Sequence, residues 1–163
     1  MECKISGGSM SQESHMKKVI LNKCYGLFRV SPKGYSLYAE KIGKTLYYYR
    51  GNHDAENILT YTKESLNEFI KNEPTLLYFY SFVDHGEKII HSSFDDKREE
   101  CLVLDEKHRF DPVLIEVIEE LGDEASSIFS KLQIVEIPDD VIEDYMIDDY
   151  DGFEMLHKRV VEY

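Results

Sequence analysis

The sequence predicts an α+β fold: a single domain over residues 16–163, with a mixed or antiparallel sheet flanked by two to four helices. Three observations predict it. Short runs dense in β-branched and aromatic residues, "KKVIL", "TLYYY", "LLYFY" and "LQIVEI", have strand composition. Two segments open on a capping residue followed by proline, Ser31-Pro32 and Asp111-Pro112, which is how helices commonly begin. Strands and helices also alternate without the βαβ repeat of a parallel sheet, and no internal repeat or linker divides the chain. A chain of 163 residues buries roughly two-thirds of its unfolded surface, so one core suffices without disulfides or metals.

Residues 1–15 are small, polar and without period; they read as a flexible leader or a non-native remnant, with Met16 as a natural start. "MKKVILNKC" follows as a short buried strand. In "SPKGYSLYAEKIG", Ser31 caps a helix, Pro32 takes its first position and Gly43 closes it. The three tyrosines of "KTLYYYR" suit a second strand. "TKESLNEFIKN" then reads as a short amphipathic helix capped by Thr62, with Leu66, Phe69 and Ile70 on one face and Pro74 beyond its end. "LLYFYSFV" and "KIIHSSF", separated by the "HGE" turn, suggest a hairpin.

"DDKREE" reads as a charged loop and "CLVL" as a further short strand. The strongest helix starts at the Asp111 cap, where Leu114, Ile115, Val117, Ile118 and Leu121 give a broad apolar face that ends or breaks at Gly122. "LQIVEIP" returns to strand pattern. "DDVIEDYMIDDYDG" fits either an alternating strand or a helix capped by Asp139, with extended structure favoured for part of it, and "FEMLHKRVVEY" reads as a short final helix.

The formal net charge of −13 is uneven: residues 95–163 hold 22 of the 32 acidic residues but only 7 of the 19 basic ones. Such a surface repels phosphate backbones, so nucleic acid is not an expected partner. It serves either as a solvating surface or as an imitation of nucleic acid toward a basic partner. Cys3, Cys24 and Cys101 form neither a disulfide framework nor a C-x-x-C zinc pair, which points to a reducing, intracellular setting. No apolar run approaches the roughly 18 residues of a membrane helix, and no secretory signal opens the chain.

Three stretches, "MKKVILNKCYGLFRVS" at 16–31, "RFDPVLIEVIEELGDEASSIFSKLQIVEIPDDV" at 109–141 and "DYDGFEMLHKR" at 149–159, resemble a family of small proteins of tailed bacteriophages and large DNA viruses. The resemblance covers nearly the whole domain, the middle least, and carries no established activity with it. It implies a viral accessory protein acting in the cytoplasm of a host cell, with a place in the virion left open. In one departure, Leu27, Phe28 and Arg29 stand where a second glycine and a small turn would follow "CYG". Any backbone cradle formed there by relatives is in doubt here.

The candidate ligand-binding residues are Asn22, Lys23, Tyr25, Gly26, Arg29, Arg50 and Arg109. "NKCYG" ends a strand at a glycine turn, where backbone amides face outward. There Asn22 can read an amide or a base edge, Lys23 can meet a phosphate and Tyr25 can stack. Lys23, Arg29 or Arg50 beside tyrosine rings would suit a nucleotide. Arg109 sits beside a helix N-terminus that favours anions. The competing reading makes Asn22 and Gly26 turn formers, Cys24 a small buried hydrophobe and Asp111 only a cap. "DDYDG" puts Asp148, Asp149 and Asp151 close together, either as an acidic turn or as oxygen ligands for magnesium or calcium. His157 with Glu154 has helical spacing for a pair, but one histidine makes no metal centre, and His53, His85, His91 and His108 show no ligand spacing. No phosphate loop, nucleophile elbow or zinc-protease motif is present.

The expected role is therefore non-catalytic binding of a host component, either a small anionic metabolite such as a nucleotide or a basic host protein. No cofactor, metal ligand or catalytic residue is assigned, no membrane is involved, and a homodimer is the expected oligomer if the chain is not a monomer. The alternatives are a divalent-cation-dependent hydrolase using residues 148–151 and a minor virion component.

Overall fold

The computed structural model describes residues 16–72, 77–90, 99–139 and 145–158. The leader expected at 1–15 lies outside them. The fold is α+β, with three α-helices and three antiparallel sheets among the described residues.

Strand β1 (Met16–Asn22) pairs with β6 (Leu132–Pro138) as a two-stranded ribbon. Its period-two alternation gives it two apolar faces. Ile20 and Leu132 join the main core, whereas Val19, Leu21 and Ile137 face a smaller core. Between them, β2 (Tyr47–His53), β3 (Leu59–Glu64), β4 (Tyr78–Ser81) and β5 (Lys88–Ile90) form a sheet of order β4-β2-β3-β5. β4 and β5 are thus opposite ends of this sheet and not the hairpin that the "HGE" turn suggested. The tyrosine run suits this central position: Tyr48 packs into the main core while Tyr49 packs on the other face against Phe79, so β2 is buried on both faces.

Helix α1 (Pro32–Lys41) begins as expected, with the Ser31 hydroxyl accepting from the Gly34 amide at 3.1 Å. Helix α2 (Leu66–Lys71) is shorter than its sequence suggested, because Ser65 and not Thr62 is the cap and Thr62 belongs to β3. Helix α3 (Pro112–Leu121) is capped by Asp111, which accepts from the Val113 amide at 2.9 Å and from the Tyr38 hydroxyl at 2.5 Å. Its Leu114, Ile115, Val117 and Ile118 are buried, each contributing roughly 1.5–3 kcal/mol of apolar burial. Beyond it Gly122–Ala125 tightens into a 3-10 turn, and "CLVL" makes only an isolated bridge between Ser81 and Cys101.

The last elements are β7 (Tyr145–Tyr150) and β8 (Phe153–Lys158), a hairpin where a final helix had been expected. Asp151 and Gly152 both have positive φ, 51° and 91°, the pattern of the two-residue Asp-Gly turn that matches strand twist. Ile147 and Leu156 on one hairpin face pack on Val19, Leu21 and Ile137. This docking brings the acidic turn onto the end of β1.

Candidate binding site

The site grows from the end of β1. Asn22 is fully buried, and its groups join three segments. Its Oδ1 accepts from the Lys131 amide at 2.8 Å, its Nδ2 donates to the carbonyls of Cys24 at 3.2 Å and Gly152 at 2.9 Å, and its own amide donates to Glu154 Oε1 at 2.8 Å. With both amide protons given to the protein and no exposed surface, the side chain acts as a strut and not as a ligand contact. Lys23 is held similarly, with Nζ donating to the Glu154 carbonyl at 2.8 Å and lying 5.4 Å from the Phe153 ring centre.

Gly26 is where the hairpin turn touches the chain. Its amide donates to the Asp151 carbonyl at 2.9 Å. A Cβ on Gly26 would stand 2.3 Å from the Phe129 carbonyl oxygen, and one on Gly152 only 1.7 Å from the carbonyl oxygen of Gly26. Both contacts are with backbone, which cannot swing away, so each position requires glycine. Tyr25 stays 68% exposed, with its ring against Phe153 and Tyr150 at centroid distances of 5.3 and 6.3 Å.

Arg109 and Glu154 close the arrangement. The guanidinium gives two parallel bonds to the carboxylate, Nη1 to Oε1 at 3.1 Å and Nη2 to Oε2 at 2.9 Å. It also donates to the carbonyls of Ile20 at 3.1 Å and Glu106 at 3.1 Å. The two side chains are only 12% and 6% exposed. Such a fork is geometrically strong, and it leaves Arg109 with no net charge to offer an anion. Arg50 lies in the four-stranded sheet. It bonds Glu64 at 3.0 Å and the carbonyls of Phe69 at 2.7 Å and Asn72 at 3.3 Å, so it closes the C-terminus of α2. Arg29 alone of the expected cations keeps its donors unspent among the described residues, with rings of Tyr78 and Phe129 beside it.

Around Gly26, Arg109 and the hairpin turn lies a pocket of about 720 Å³, within the range of roughly 300–1,000 Å³ usual for ligand sites. Glu106, Asp149 and Asp151 line it together with the Arg109–Glu154 pair. Asp149 uses one oxygen on the Gly152 amide at 2.7 Å. With Arg109 neutralised by Glu154, the pocket's remaining charge is three carboxylates.

Asp148 does not join them. Strand alternation puts it on the opposite hairpin face, where it pairs with His157 at 3.1 Å. Among the described residues no group of three or more histidine, cysteine, aspartate or glutamate side chains is placed to hold a metal ion. Glu154 and His157 likewise lie on opposite faces of β8 and are not the helical pair that their spacing suggested. Ser81, His85 and Glu100 come together elsewhere, with Ser81 Oγ 2.9 Å from His85 Nε2 and Glu100 3.8 Å from that same nitrogen. This is not a catalytic triad. The acid does not orient the imidazole through its other nitrogen, and Ser81 is fully buried.

Sequence reasoning missed Glu154, Glu106 and Gly152 as partners of "NKCYG". The signal for the last was present: Asp151-Gly152 between alternating runs is a strong hairpin mark. No protein-family model, curated protein or solved structure matches the chain. No described helix is long and apolar enough to cross a membrane.

Proposed function

We propose that this is a non-catalytic binding protein whose acidic pocket takes a cationic side chain from a basic partner protein. The observation that carries the reading is the neutralisation of Arg109 by Glu154, which removes the pocket's one cation and leaves Glu106, Asp149 and Asp151 unopposed beside a helix start. An anionic metabolite draws no support there. A lysine or arginine would meet Glu106, Asp149 and Asp151 while its stem lies on Leu27 and Phe28. The uneven charge of the chain adds long-range attraction toward a basic partner.

A viral accessory role, with a basic host protein as that partner, is supported by the likeness of residues 16–31, 109–141 and 149–159 to phage and large-virus proteins. The divalent-cation hydrolase is the weaker reading, because Asp148 faces away from Asp149 and Asp151.

The test is fluorescence anisotropy with a labelled nona-arginine peptide, comparing Glu106→Gln/Asp151→Asn with Glu116→Gln/Glu120→Gln. Both pairs remove two charges, and Asn tolerates the left-handed turn position. Exposed carboxylates contribute up to about 1 kcal/mol each, about 2 kcal/mol for the two, so the pocket variant binds up to roughly thirtyfold more weakly. The control pair, which faces Lys41, changes little. Equal weakening by both variants would show a diffuse charge effect and sink the proposal.

A further inference from the structure

On the other side of residues 27–29, a second cleft of about 310 Å³ lies between β4 and residues 102–105. Tyr35, Tyr78, Tyr80 and Leu102 form its walls, and its charged members are Arg29 and Asp105. The Arg29 guanidinium carbon stands 5.6 Å from the Tyr78 ring centre and 5.5 Å from that of Phe129. Among the described residues its N–H donors reach no carboxylate or carbonyl, in contrast to those of Arg50 and Arg109.

Asp105 uses Oδ1 on the Lys107 amide at 3.0 Å, with His108 Nδ1 3.5 Å away. Its Oδ2 has no hydrogen bond among the described residues. No ion pair joins Asp105 to Arg29 among the described residues, and both line the same cleft as Tyr35. The Tyr35 hydroxyl accepts from the Leu104 amide at 2.8 Å and keeps its own proton to give.

We propose that this cleft binds a zwitterionic, apolar molecule of amino-acid size, with its carboxylate on Arg29, its ammonium on Asp105 and its side chain among the tyrosine rings and Leu102. The charges decide the class. A simple anion would enter against a chain of net charge −13 and meet Asp105, whereas a simple cation would meet Arg29. A zwitterion carries no net charge and answers both groups. The cleft sits at the small end of ligand sites, roughly 300–1,000 Å³, which suits one amino acid rather than a peptide. This site shares only Phe28 with the acidic pocket and none of its charged groups, so its failure leaves that reading untouched.

Isothermal titration calorimetry with L-phenylalanine, phenethylamine and 3-phenylpropionate tests it. L-Phenylalanine binds saturably, and each analogue, lacking one charge, binds at least about tenfold more weakly. Arg29→Gln removes the preference over phenethylamine. Asp105→Asn removes the preference over 3-phenylpropionate, while asparagine still accepts from the Lys107 amide. In the unsubstituted protein, the Leu104 amide resonance moves on titration. Equal affinity for the three compounds, preferences unchanged in the variants, or neither heat nor a Leu104 shift at millimolar L-phenylalanine would overturn the proposal.

Discussion

Replacing Glu154 by glutamine tests the strut beneath the acidic pocket. The carboxylate accepts three hydrogen bonds, from Arg109 Nη1 and Nη2 and from the Asn22 amide, at 3.1, 2.9 and 2.8 Å. Glutamine keeps one acceptor oxygen but turns the other toward those donors as an NH₂ group, and it leaves the Arg109 charge without its partner. Breaking a buried pair from one side costs about 3–5 kcal/mol. Because Arg109 is 12% exposed and keeps two carbonyl acceptors, the lower end, about 3 kcal/mol, is expected. In a domain of this size that lowers Tm by roughly 6–12 °C. Urea denaturation reads it as a lower midpoint with unchanged slope. The double variant Arg109→Met/Glu154→Leu, with both charges gone, should be more stable than Glu154→Gln, since a buried pair often contributes little relative to an apolar replacement. A loss below about 1 kcal/mol in Glu154→Gln, the range of exposed pairs, would refute the reasoning.

The docking of the hairpin turn makes Gly152→Ala costly. A left-handed φ of 91° costs a non-glycine residue about 1 kcal/mol, and the clash with Gly26 breaks two hydrogen bonds of about 1 kcal/mol each. The sum of about 3 kcal/mol is measurable by urea denaturation, and a near-neutral result would mean that the turn does not touch Gly26. Alkaline pH should destabilise the fold. Burial raises the pKa of Tyr35 and Tyr38, the latter also through its bond to Asp111, so both stay neutral in the folded state. Their contribution is full below the usual phenol value of about 10 and falls as pH rises past it, because the unfolded chain then loses protons first. Urea midpoints at rising pH should show this decline, with a shallower slope in Tyr35→Phe; a flat profile would contradict it. Added Mg²⁺ or Mn²⁺ should leave Tm unchanged, since Asp148 faces away from Asp149 and Asp151. A rise abolished by Asp149→Ala would restore the hydrolase reading.

The α+β class and the caps of α1 and α3 were legible because they rest on local chemistry: Ser31-Pro32 and Asp111-Pro112 fix their helix starts through bonds two or three residues away. The cap of α2 was misplaced by three residues, because Thr62 has both cap and strand character and pairing with Arg50 decided for the strand. The order of the four-stranded sheet was not legible, since β4, reached only after α2, pairs with β2 and not with β5, and no local residue marks that choice. The candidate site was half legible. Gly26 of "NKCYG" and Arg109 line the acidic pocket, while Asn22 and Lys23 bond two of its residues, Gly152 and Glu154, without lining it. Their hydrogen bonds go to the protein itself: Asn22 and Lys23 bond Glu154 and Gly152 more than one hundred residues away, the Gly26 amide bonds Asp151, and Arg109 bonds Glu154. Nothing local in the sequence announces that pairing, apart from the Asp-Gly turn that made the hairpin.

The most direct test of the basic-partner reading is to follow the backbone amide spectrum during titration with nona-arginine peptide. Saturable shifts confined to Gly26, Leu27, Glu106 and Gly152 are expected, around the pocket that the neutralised Arg109 leaves acidic. Shifts spread instead over the outer face of α3, at Glu116 and Glu120, with the pocket amides unmoved, would contradict it.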